Sequence, residues 1–522
     1  MKNNDFKKTI LIIMDGWGIA PPGNGNPITP ENAPNYFSWL RKYPNTEIKA
    51  GGTAVGLLKG EDGNSEAGHI NLGAGRVVKQ DAMYIYESIA DGTFFKNQAM
   101  MQAIHHLKKY KTAAHVMGLI SNHNSAHSCP EHAYALLDFL NHQGIKEVYL
   151  HLFTDGRDSG QHDAPHHIKK LRERMHSNEK IATIMGRLYA MDRGKNWHRI
   201  RYAYEAIVMG KGVRSTAQSA EEAIAQAYNS GETDEFIKPT VIMENGKPTS
   251  KVKDNDVMFF FNLRSDRARE LTKAFVQPDF EKINHEAFKR KVVPKNIRFV
   301  AMTDFGPDLP GVLTAFPSRD VKKSLTQVLC PRSQLYIAET EKFAHVTYFF
   351  NGGYSRHFCD ERRVKISSVV VESYAERPQM SARMVADYVI KAIQNGKYDF
   401  ICVNFANPDM VGHTGSISAT KLAIKTVDKE VSRVLKASVK HGVVAVVTAD
   451  HGNAEELINL VTGEVDTEHS SNPVPLIIVG KEYPKRKTKL ITRGKLADVA
   501  PTILKIMDLK KPREMTGKPL IK

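Results

Sequence analysis

Short apolar runs that end in acidic and histidine residues recur along this chain. The run Val443–Val447 is followed by Asp450, His451 and Gly452. An apolar run of this length, rich in β-branched residues and closed by glycine, predicts a buried strand. In open α/β sheets, ligands bind beyond the carboxyl ends of the strands. Considered alone, the segment is explained more simply as a strand followed by a polar turn.

The same arrangement at two other points favours a functional site over a turn. Thr9–Met14 is followed by Asp15, and Phe400–Phe405 is followed by Asp409 and His413. Carboxylate and imidazole groups suit Mn²⁺, Zn²⁺ or Fe²⁺, and carboxylate-rich sites also suit Mg²⁺. Because these residues come from both ends of a long chain, an α/β sheet has to bring them together.

Other hydrophobic patterns predict the elements around these strands. A helical pattern runs from Ile85 to His106, and strands are predicted at His115–Ile120 and Val148–Phe153. Towards the end of the chain, Ser381–Lys391 and Thr420–Lys436 predict amphipathic helices that cover the sheet. Their apolar residues belong to the core and not to a site.

Composition and charge narrow the class of protein. A chain of 522 residues with 41% hydrophobic residues predicts two or three domains with substantial cores. Its formal charge of +16 favours anionic partners, such as phosphorylated metabolites, nucleic acid or a membrane surface. The basic run Lys485–Lys487 is too short for a nucleic-acid tail and is typical of a solvated turn. Since no apolar run has the length of a signal or a membrane span, we expect a cytoplasmic protein without a membrane partner.

The cysteines predict a reducing compartment. The chain has four of them and no Cys-x-x-Cys pair. This usage argues against a disulfide or cysteine–zinc framework. The four positions are Cys129, Cys330, Cys359 and Cys402.

Ser65 allows two interpretations. It lies in a glycine-flanked polar turn, Asp62–Asn71. Serine is a preferred helix N-cap, which is the structural alternative. The functional alternative is a nucleophile, because the amides at a helix start favour an arriving phosphate.

Six segments, in the same order from end to end, resemble the signature segments of the cofactor-independent phosphoglycerate mutase family. These segments are Met14–Gly18, Asp62–His69, Pro408–His413, Asp450–Glu455, Thr467–Pro475 and Leu496–Leu504. The resemblance implies interconversion of 3-phosphoglycerate and 2-phosphoglycerate in glycolysis and gluconeogenesis. The phosphoryl group would pass through a phosphoserine on Ser65, while the glycerate stays bound and reorients.

The resemblance also implies an architecture of two α/β domains. A metal domain of the alkaline phosphatase type would comprise residues 1–79 and 317–522, with a substrate-binding domain, residues 80–316, inserted between them. The family implies a monomer with two Mn²⁺ ions, or Mg²⁺ in some members, and no need for 2,3-bisphosphoglycerate. The ligands implied for one ion are Asp409, His413 and His469, and those for the other are Asp15, Ser65, Asp450 and His451.

Substrate residues are implied by the same match. Asp158 is the implied general acid or base on the glycerate hydroxyls, since that role needs a carboxylate away from the metals. The family pattern Ser-Asp-Gly-Gly-Val-His-Ser becomes Ser121–Ser128 here, which keeps His127 but departs over Asn122–Ala126. Losing the glycines restricts that loop. The other implied substrate residues are Arg157, Arg187, Arg193, Arg264, Arg267 and Lys342.

Three alternatives remain beside the mutase. A metal-dependent phosphatase or a sugar phosphomutase would share the metal domain, but the arginine-rich segments favour the phosphoglycerate enzyme. A basic protein that binds nucleic acid without catalysis is a rival of another class. No recognised nucleic-acid motif supports it, so a small-molecule substrate is the expected partner.

Overall fold

The computed structural model describes residues 7–123, 125–213, 216–319, 321–459 and 462–522. The chain divides into two compact units, one formed by residues 1–80 and 320–522 and the other by residues 81–319. We call them the split unit and the inserted unit. The sequence predicts domain boundaries between residues 79 and 80 and between residues 316 and 317. The compact units divide between residues 80 and 81 and between residues 319 and 320.

The strands are short and mostly buried. In chain order they are β1 (Thr9–Met14), β2 (Asn45–Lys49), β3 (Ala114–Ile120), β4 (Val148–Thr154), β5 (Glu179–Gly186), β6 (Thr240–Val241), β7 (Met243–Glu244), β8 (Lys247–Pro248), β9 (Val257–Phe260), β10 (Arg298–Thr303), β11 (Val312–Phe316), β12 (Gln334–Glu339), β13 (Glu361–Ile366), β14 (Phe400–Phe405), β15 (Val444–Thr448), β16 (Val474–Val479) and β17 (Gly494–Lys495).

Helices connect most of these strands. They are α1 (Pro34–Lys42), α2 (Ser65–Ala74), α3 (Asp81–Ala90), α4 (Gln98–Tyr110), α5 (Pro130–His142), α6 (Ala164–Arg172), α7 (Arg187–Ala190), α8 (Trp197–Met209), α9 (Ala220–Asn229), α10 (Ser265–Val276), α11 (Phe280–Ile283), α12 (Leu325–Val328), α13 (Ala382–Asn395), α14 (Asn407–Gly412), α15 (Ile417–Lys440) and α16 (Val499–Ile506).

The sheet of the split unit has the strand order β13-β12-β14-β1-β15-β16-β2-β17. Strand β1 lies between β14 and β15 and is parallel to both, with Thr9 opposite Phe400 and Val444. All three strands are buried along their whole length, as continuous apolar runs in a parallel sheet require. Their carboxyl ends therefore lie side by side at one edge of the sheet.

The inserted unit has its own sheet, ordered β11-β10-β9-β3-β4-β5-β6. Its strands pair in parallel except β6, which is antiparallel to β5. Each hydrophobic core cluster draws its residues from one unit only. The predicted α/β class is confirmed.

Several predicted elements are confirmed with small shifts at their ends. The strands expected at His115–Ile120 and Val148–Phe153 are β3 and β4. The amphipathic helices expected at Ser381–Lys391 and Thr420–Lys436 are α13 and α15. Each helix buries one face, including Val385 and Val389 in the first of them.

The single helix predicted from Ile85 to His106 is wrong, because the chain breaks between α3 and α4. Gly92 has a φ of 78°, a left-handed conformation that ends the first helix. Asn97 then caps the second helix by accepting a hydrogen bond from the Met100 amide at 3.2 Å. The spacing of apolar residues continues across this break, so the hydrophobic periodicity alone does not predict where the first helix ends.

The argument against a disulfide is also wrong. Cys330 and Cys359 form one, with their Cα atoms 5.6 Å apart. They lie 29 residues apart in sequence, before β12 and before β13, which are neighbours in the sheet. Cys129 and Cys402 are buried and unpaired. Among the described residues, no helix combines the length and apolar character needed to cross a membrane.

Candidate active site

Ser65 is the first residue of α2, and its neighbour caps the helix. The Asn64 side chain accepts a hydrogen bond from the Ala67 amide at 2.8 Å. The N-cap interpretation of Ser65 is therefore wrong. With the cap supplied by Asn64, the Ser65 hydroxyl points to other partners, Lys342 Nζ at 2.7 Å and His451 Nε2 at 2.8 Å.

The strand ends bring the predicted acidic residues together. Asp15 follows β1, Asp409 lies in α14 after β14, and Asp450 follows β15. All three are buried. Gly16, with a φ of 70°, makes the close approach possible, since a Cβ there would lie 2.8 Å from the Asp409 Cα. A larger residue would displace Asp409 in α14.

Two sets of side chains have ligand atoms close enough to hold a metal ion. Asp15, Asp450 and His451 form one set, and Asp409, His451 and His469 form the other, with all ligand atoms of a set within 4.8 Å of one another. His451 belongs to both sets. The family-based assignment placed it in the first set alone.

His413 lies beside the second set. Its Nε2 is 3.3 Å from Asp409 Oδ1 and 3.1 Å from His469 Nε2. The predicted spacing of one helical turn between Asp409 and His413 is confirmed, since the His413 amide donates to the Asp409 carbonyl at 3.0 Å. The Nδ1 of His413 is 2.7 Å from the Thr467 carbonyl, which holds the ring in place.

Lys342 occupies the centre of the carboxylates. It ends the short 3₁₀ turn Thr340–Lys342 that follows β12. Its Nζ lies 2.7 Å from Asp15 Oδ1 and 2.6 Å from Asp409 Oδ2. The sequence predicted a cation near the phosphate but gave no sign of these two ion pairs.

Burial and neighbouring charges shift the pKa values of these side chains in opposite directions. Burial, reinforced by the neighbouring Asp450 charge, raises the pKa of Asp15 to about 7. Burial opposes the charge of Asp409, yet Lys342 and the adjacent histidines hold the pKa of that carboxyl well below its usual range. Burial lowers the pKa of His451, so its ring is neutral and can bind a metal.

The residues present fit divalent metal ions. Three buried carboxyl groups, Asp15, Asp409 and Asp450, share one buried ammonium group, so bound cations would relieve the repulsion between them. The imidazole rings of His413, His451 and His469 add nitrogen donors. Mixed carboxylate and imidazole donors of this kind suit Mn²⁺ and related ions.

Several residues that the sequence did not predict surround these metal-capable side chains. Asn404 donates to Asp15 Oδ2 at 2.6 Å and lies 3.0 Å from His69 Nε2. Asn453 donates to Asp409 Oδ1 at 3.1 Å. Asn404 could have been noticed, because it is the one polar side chain in the otherwise apolar strand β14. Asn453 shows no such contrast with its neighbours.

In the inserted unit, three predicted residues lie together. Asp158 Oδ2 accepts a hydrogen bond from Arg187 Nη1 at 3.0 Å. The same guanidinium nitrogen also bonds Asp155, a buried residue at the end of β4. Burial, together with the charge of Arg187, lowers the pKa of His127 to about 4. His127 is therefore a neutral ring beside a guanidinium and a carboxylate.

The other four predicted arginines lie near this group. Arg193 and Arg264 share the Asp266 carboxylate, at 3.1 and 3.5 Å. Arg267 donates to the Met191 carbonyl at 3.2 Å, and burial followed by the charges of neighbouring arginines lowers its pKa. Arg157 is half-exposed and lies 3.6 Å from Glu235. The arginines that act on the pKa of Arg267 are Arg187, Arg193 and Arg157.

Comparison with known proteins places the chain among enzymes. A family model described as BPG-independent PGAM N-terminus matches residues 85–307. The 2,3-bisphosphoglycerate-independent phosphoglycerate mutase of Acetivibrio thermocellus is 43% identical over 519 residues, 99% of each chain. One from Methanosarcina barkeri is 46% identical over 98% of each. The chain belongs to the family of 2,3-bisphosphoglycerate-independent phosphoglycerate mutases.

A solved structure agrees with this family. A crystal structure of Leishmania mexicana phosphoglycerate mutase at low cobalt concentration superposes with a TM-score of 0.78 and 28% identity. The match covers 100% of this chain and 99% of the other. The resemblance stated from the sequence motifs is confirmed.

Proposed function

We propose that this protein interconverts 3-phosphoglycerate and 2-phosphoglycerate through a phosphoserine on Ser65, without 2,3-bisphosphoglycerate. The observation that carries the proposal is the position of the Ser65 hydroxyl. It lies 2.7 Å from the Lys342 ammonium and 2.8 Å from His451, at the start of α2 and beside both sets of metal-capable residues. The names of the relatives point to the same reaction.

The Ser65 hydroxyl gives its proton to solvent as its oxygen attacks phosphorus, and the bond from phosphorus to the substrate oxygen breaks. Ser65 takes a proton back when the phosphoryl group leaves it. The Lys342 ammonium and the first amides of α2 stabilise negative charge on the transferred group. Asp158 protonates the departing glycerate oxygen and later removes the proton from the other hydroxyl, which then takes the phosphoryl group back from Ser65. The proton balance over the full cycle is zero.

We assign two Mn²⁺ ions to the split unit, with Mg²⁺ as the alternative. When bound, such ions lower the pKa of an adjacent hydroxyl and neutralise charge on the phosphoryl oxygens. The proposed ligands are Asp409, His413 and His469 for one ion, and Asp15, Ser65, Asp450 and His451 for the other.

The arginine group of the inserted unit suits an anionic substrate. A guanidinium grips a carboxylate or a phosphate through two parallel hydrogen bonds. We assign His127, Arg157 and Arg187 to substrate binding, together with Arg193, Arg264 and Arg267. The substrate is the proposed partner of a monomer acting in the cytoplasm.

The test is a coupled assay for 2-phosphoglycerate on metal-stripped protein, without 2,3-bisphosphoglycerate. We expect no turnover until Mn²⁺ is added, and a phosphorylated Ser65 by mass spectrometry of the quenched reaction. Free phosphate without isomer formation would show a phosphatase instead. Tight RNA binding without turnover, weakening steeply with salt, would revive the nucleic-acid alternative.

Ser65→Ala should lower activity below detection while the circular dichroism spectrum and melting temperature stay close to those of the parent. The reason is that the variant loses only the attacking oxygen, and Asn64 still caps the helix. Ser65→Ala with substantial activity would disprove the phosphoserine route.

A further inference from the structure

The loop Ser121–Ser128, which departs from the family pattern, supplies a hydrogen-bond donor to Asp158. The Ser125 hydroxyl donates to Asp158 Oδ2 at 2.8 Å. Ser125 is itself 6% exposed. Its Oγ also accepts a hydrogen bond from the His127 amide at 3.2 Å, which fixes the serine within the loop.

Asp158 is held at three separate points. Its amide donates to Asp155 Oδ1 at 3.1 Å, and its carbonyl accepts from the Asn122 side chain at 2.9 Å. Its Oδ2 accepts from both Ser125 and Arg187. Within the part of the chain that the structure describes, the hydrogen bonds to this carboxylate end on Oδ2 and none ends on Oδ1.

We propose that Ser125 and Asn122 are positioning residues that hold Asp158 with Oδ1 directed at the substrate hydroxyls. The inference rests on the proposed acid–base role of Asp158. Two donors on one oxygen fix the rotation of the carboxylate about its Cβ–Cγ bond. They also disfavour protonation of that oxygen, so the proton is exchanged at Oδ1.

The charges around Asp158 support this arrangement. Burial opposes its ionisation, but Arg187, the Ser125 hydroxyl and His127 together lower its pKa. The titratable and charged groups that face it are Arg187 from α7, His127 from the same loop and Asp155 from the end of β4. Loss of the Ser125 donor should therefore raise the pKa of Asp158.

The test compares Ser125→Thr with Ser125→Val in the full-length, metal-loaded enzyme. The two side chains have nearly the same shape, and only threonine keeps the hydroxyl. We expect threonine to keep kcat near that of the parent and valine to lower it about ten- to a hundredfold, a share of the roughly hundred- to ten-thousand-fold that a positioned acid–base group contributes. KM should change less than twofold, and the alkaline limb of the kcat profile should move to higher pH for valine alone, because Asp158 has to carry its proton when the phosphoryl group is transferred to Ser65.

Two further variants complete the comparison. Asn122→Ala should lower kcat in the same direction, because the Asp158 carbonyl loses its donor. Ser128→Ala is the matched control, since the Ser128 hydroxyl is buried without a hydrogen-bond partner in the described structure. We expect Ser128→Ala to leave kcat and its pH profile unchanged.

Equal kcat and equal pH profiles for Ser125→Thr and Ser125→Val would overturn the inference. Asp158→Asn separates that failure from failure of the proposed function. If Asp158→Asn is inactive while Ser125→Val matches Ser125→Thr, Asp158 is catalytic and the positioning inference alone is wrong. If Asp158→Asn remains active, the proposed role of Asp158 is wrong and the inference falls with it.

Discussion

In the site of the split unit, the charge of one buried side chain depends on the charges of its neighbours. Lys342 is buried, and its pKa is raised above the ordinary value because the Asp15 and Asp409 carboxylates outweigh the effect of burial. The buried ammonium and its two carboxylate partners stabilise one another. Removing any one of them leaves an unpaired buried charge, which destabilises the folded protein. The residues proposed for catalysis therefore also contribute to stability.

Replacing Lys342 by Met tests this dependence. We expect Lys342→Met to lower the free energy of unfolding of the metal-free protein by about 3–5 kcal/mol, the usual cost of breaking a buried ion pair. Urea denaturation of metal-stripped protein measures it. Lys391→Met, at an exposed position of α13, is the control and should change little. Equal stability of the two variants would contradict the assignment.

Glu339 provides a pH test at the end of β12. Burial raises the pKa of its carboxyl to about 7, and its Oε1 accepts from the Ser381 amide at 2.9 Å. The folded state thus keeps a proton that the unfolded state loses near the ordinary pKa of 4.5. Stability contributed by the protonated group is lost as pH rises from about 4.5 to about 7.

Glu339→Gln should therefore be more stable than the parent at pH 8 and close to it at pH 4.5. Glutamine keeps the acceptor for Ser381 and cannot ionise. Since a pKa unit corresponds to about 1.4 kcal/mol, the rise from 4.5 to about 7 predicts a difference of about 3–4 kcal/mol at pH 8. Urea denaturation at both pH values measures it, with exposed Glu372→Gln as the control. A difference that does not grow with pH would refute the prediction.

The side chains of the candidate site lie at the ends of secondary-structure elements or in the loops that follow them. The strands β14, β1 and β15 are adjacent, so three loops far apart in sequence meet at one edge. Strand β12, next to β14, carries Lys342 on the turn that follows it. At their other ends, β12 and β13 are preceded by the segments that the Cys330–Cys359 disulfide joins.

The disulfide should stabilise the split unit by closing a loop of 29 residues. The chain-entropy model gives about 3–4 kcal/mol for such a loop. We expect a reductant to lower the melting temperature of the oxidised enzyme and to leave a Cys330→Ser, Cys359→Ser variant unaffected. Alkylation under denaturing conditions should label two cysteines before reduction and four after it, because the sequence has four. Four labelled cysteines before reduction would exclude the bond.

At the scale of the whole molecule, the two units are built independently. Each has its own sheet and its own hydrophobic core clusters. A unit of about 240 residues buries enough surface to be stable alone. The site of the split unit draws on both of its chain segments, from Asp15 and Ser65 to His469.

Residues 81–319 expressed alone should fold and unfold cooperatively. They should show neither mutase nor phosphatase activity, because Ser65, Lys342 and the metal-capable residues belong to the other unit. Circular dichroism melting and the coupled assay check both points. A fragment without a cooperative transition would show that the inserted unit depends on the rest of the chain.

Much of the candidate site could be predicted because its motifs are local. Apolar runs that end at Met14, Phe405 and Val447 predicted the three strands and the acids that follow them. The Asp409–His413 contact followed from helical spacing. The break at Gly92 was missed, since the apolar period on either side of it is similar.

By itself the sequence determined the family and the α/β class, because both depend on residue types at short spacing. It also named Asp15, Asp409, Asp450, His451 and His469, which the structure places in the two metal-capable sets. Tertiary structure alone decided that His451 belongs to both metal-capable sets, that Lys342 lies between two carboxylates, and that Cys330 meets Cys359. It also decided that Ser125 bonds Asp158. These contacts depend on which strands become neighbours and on how distant loops pack. Local sequence patterns predict neither of these.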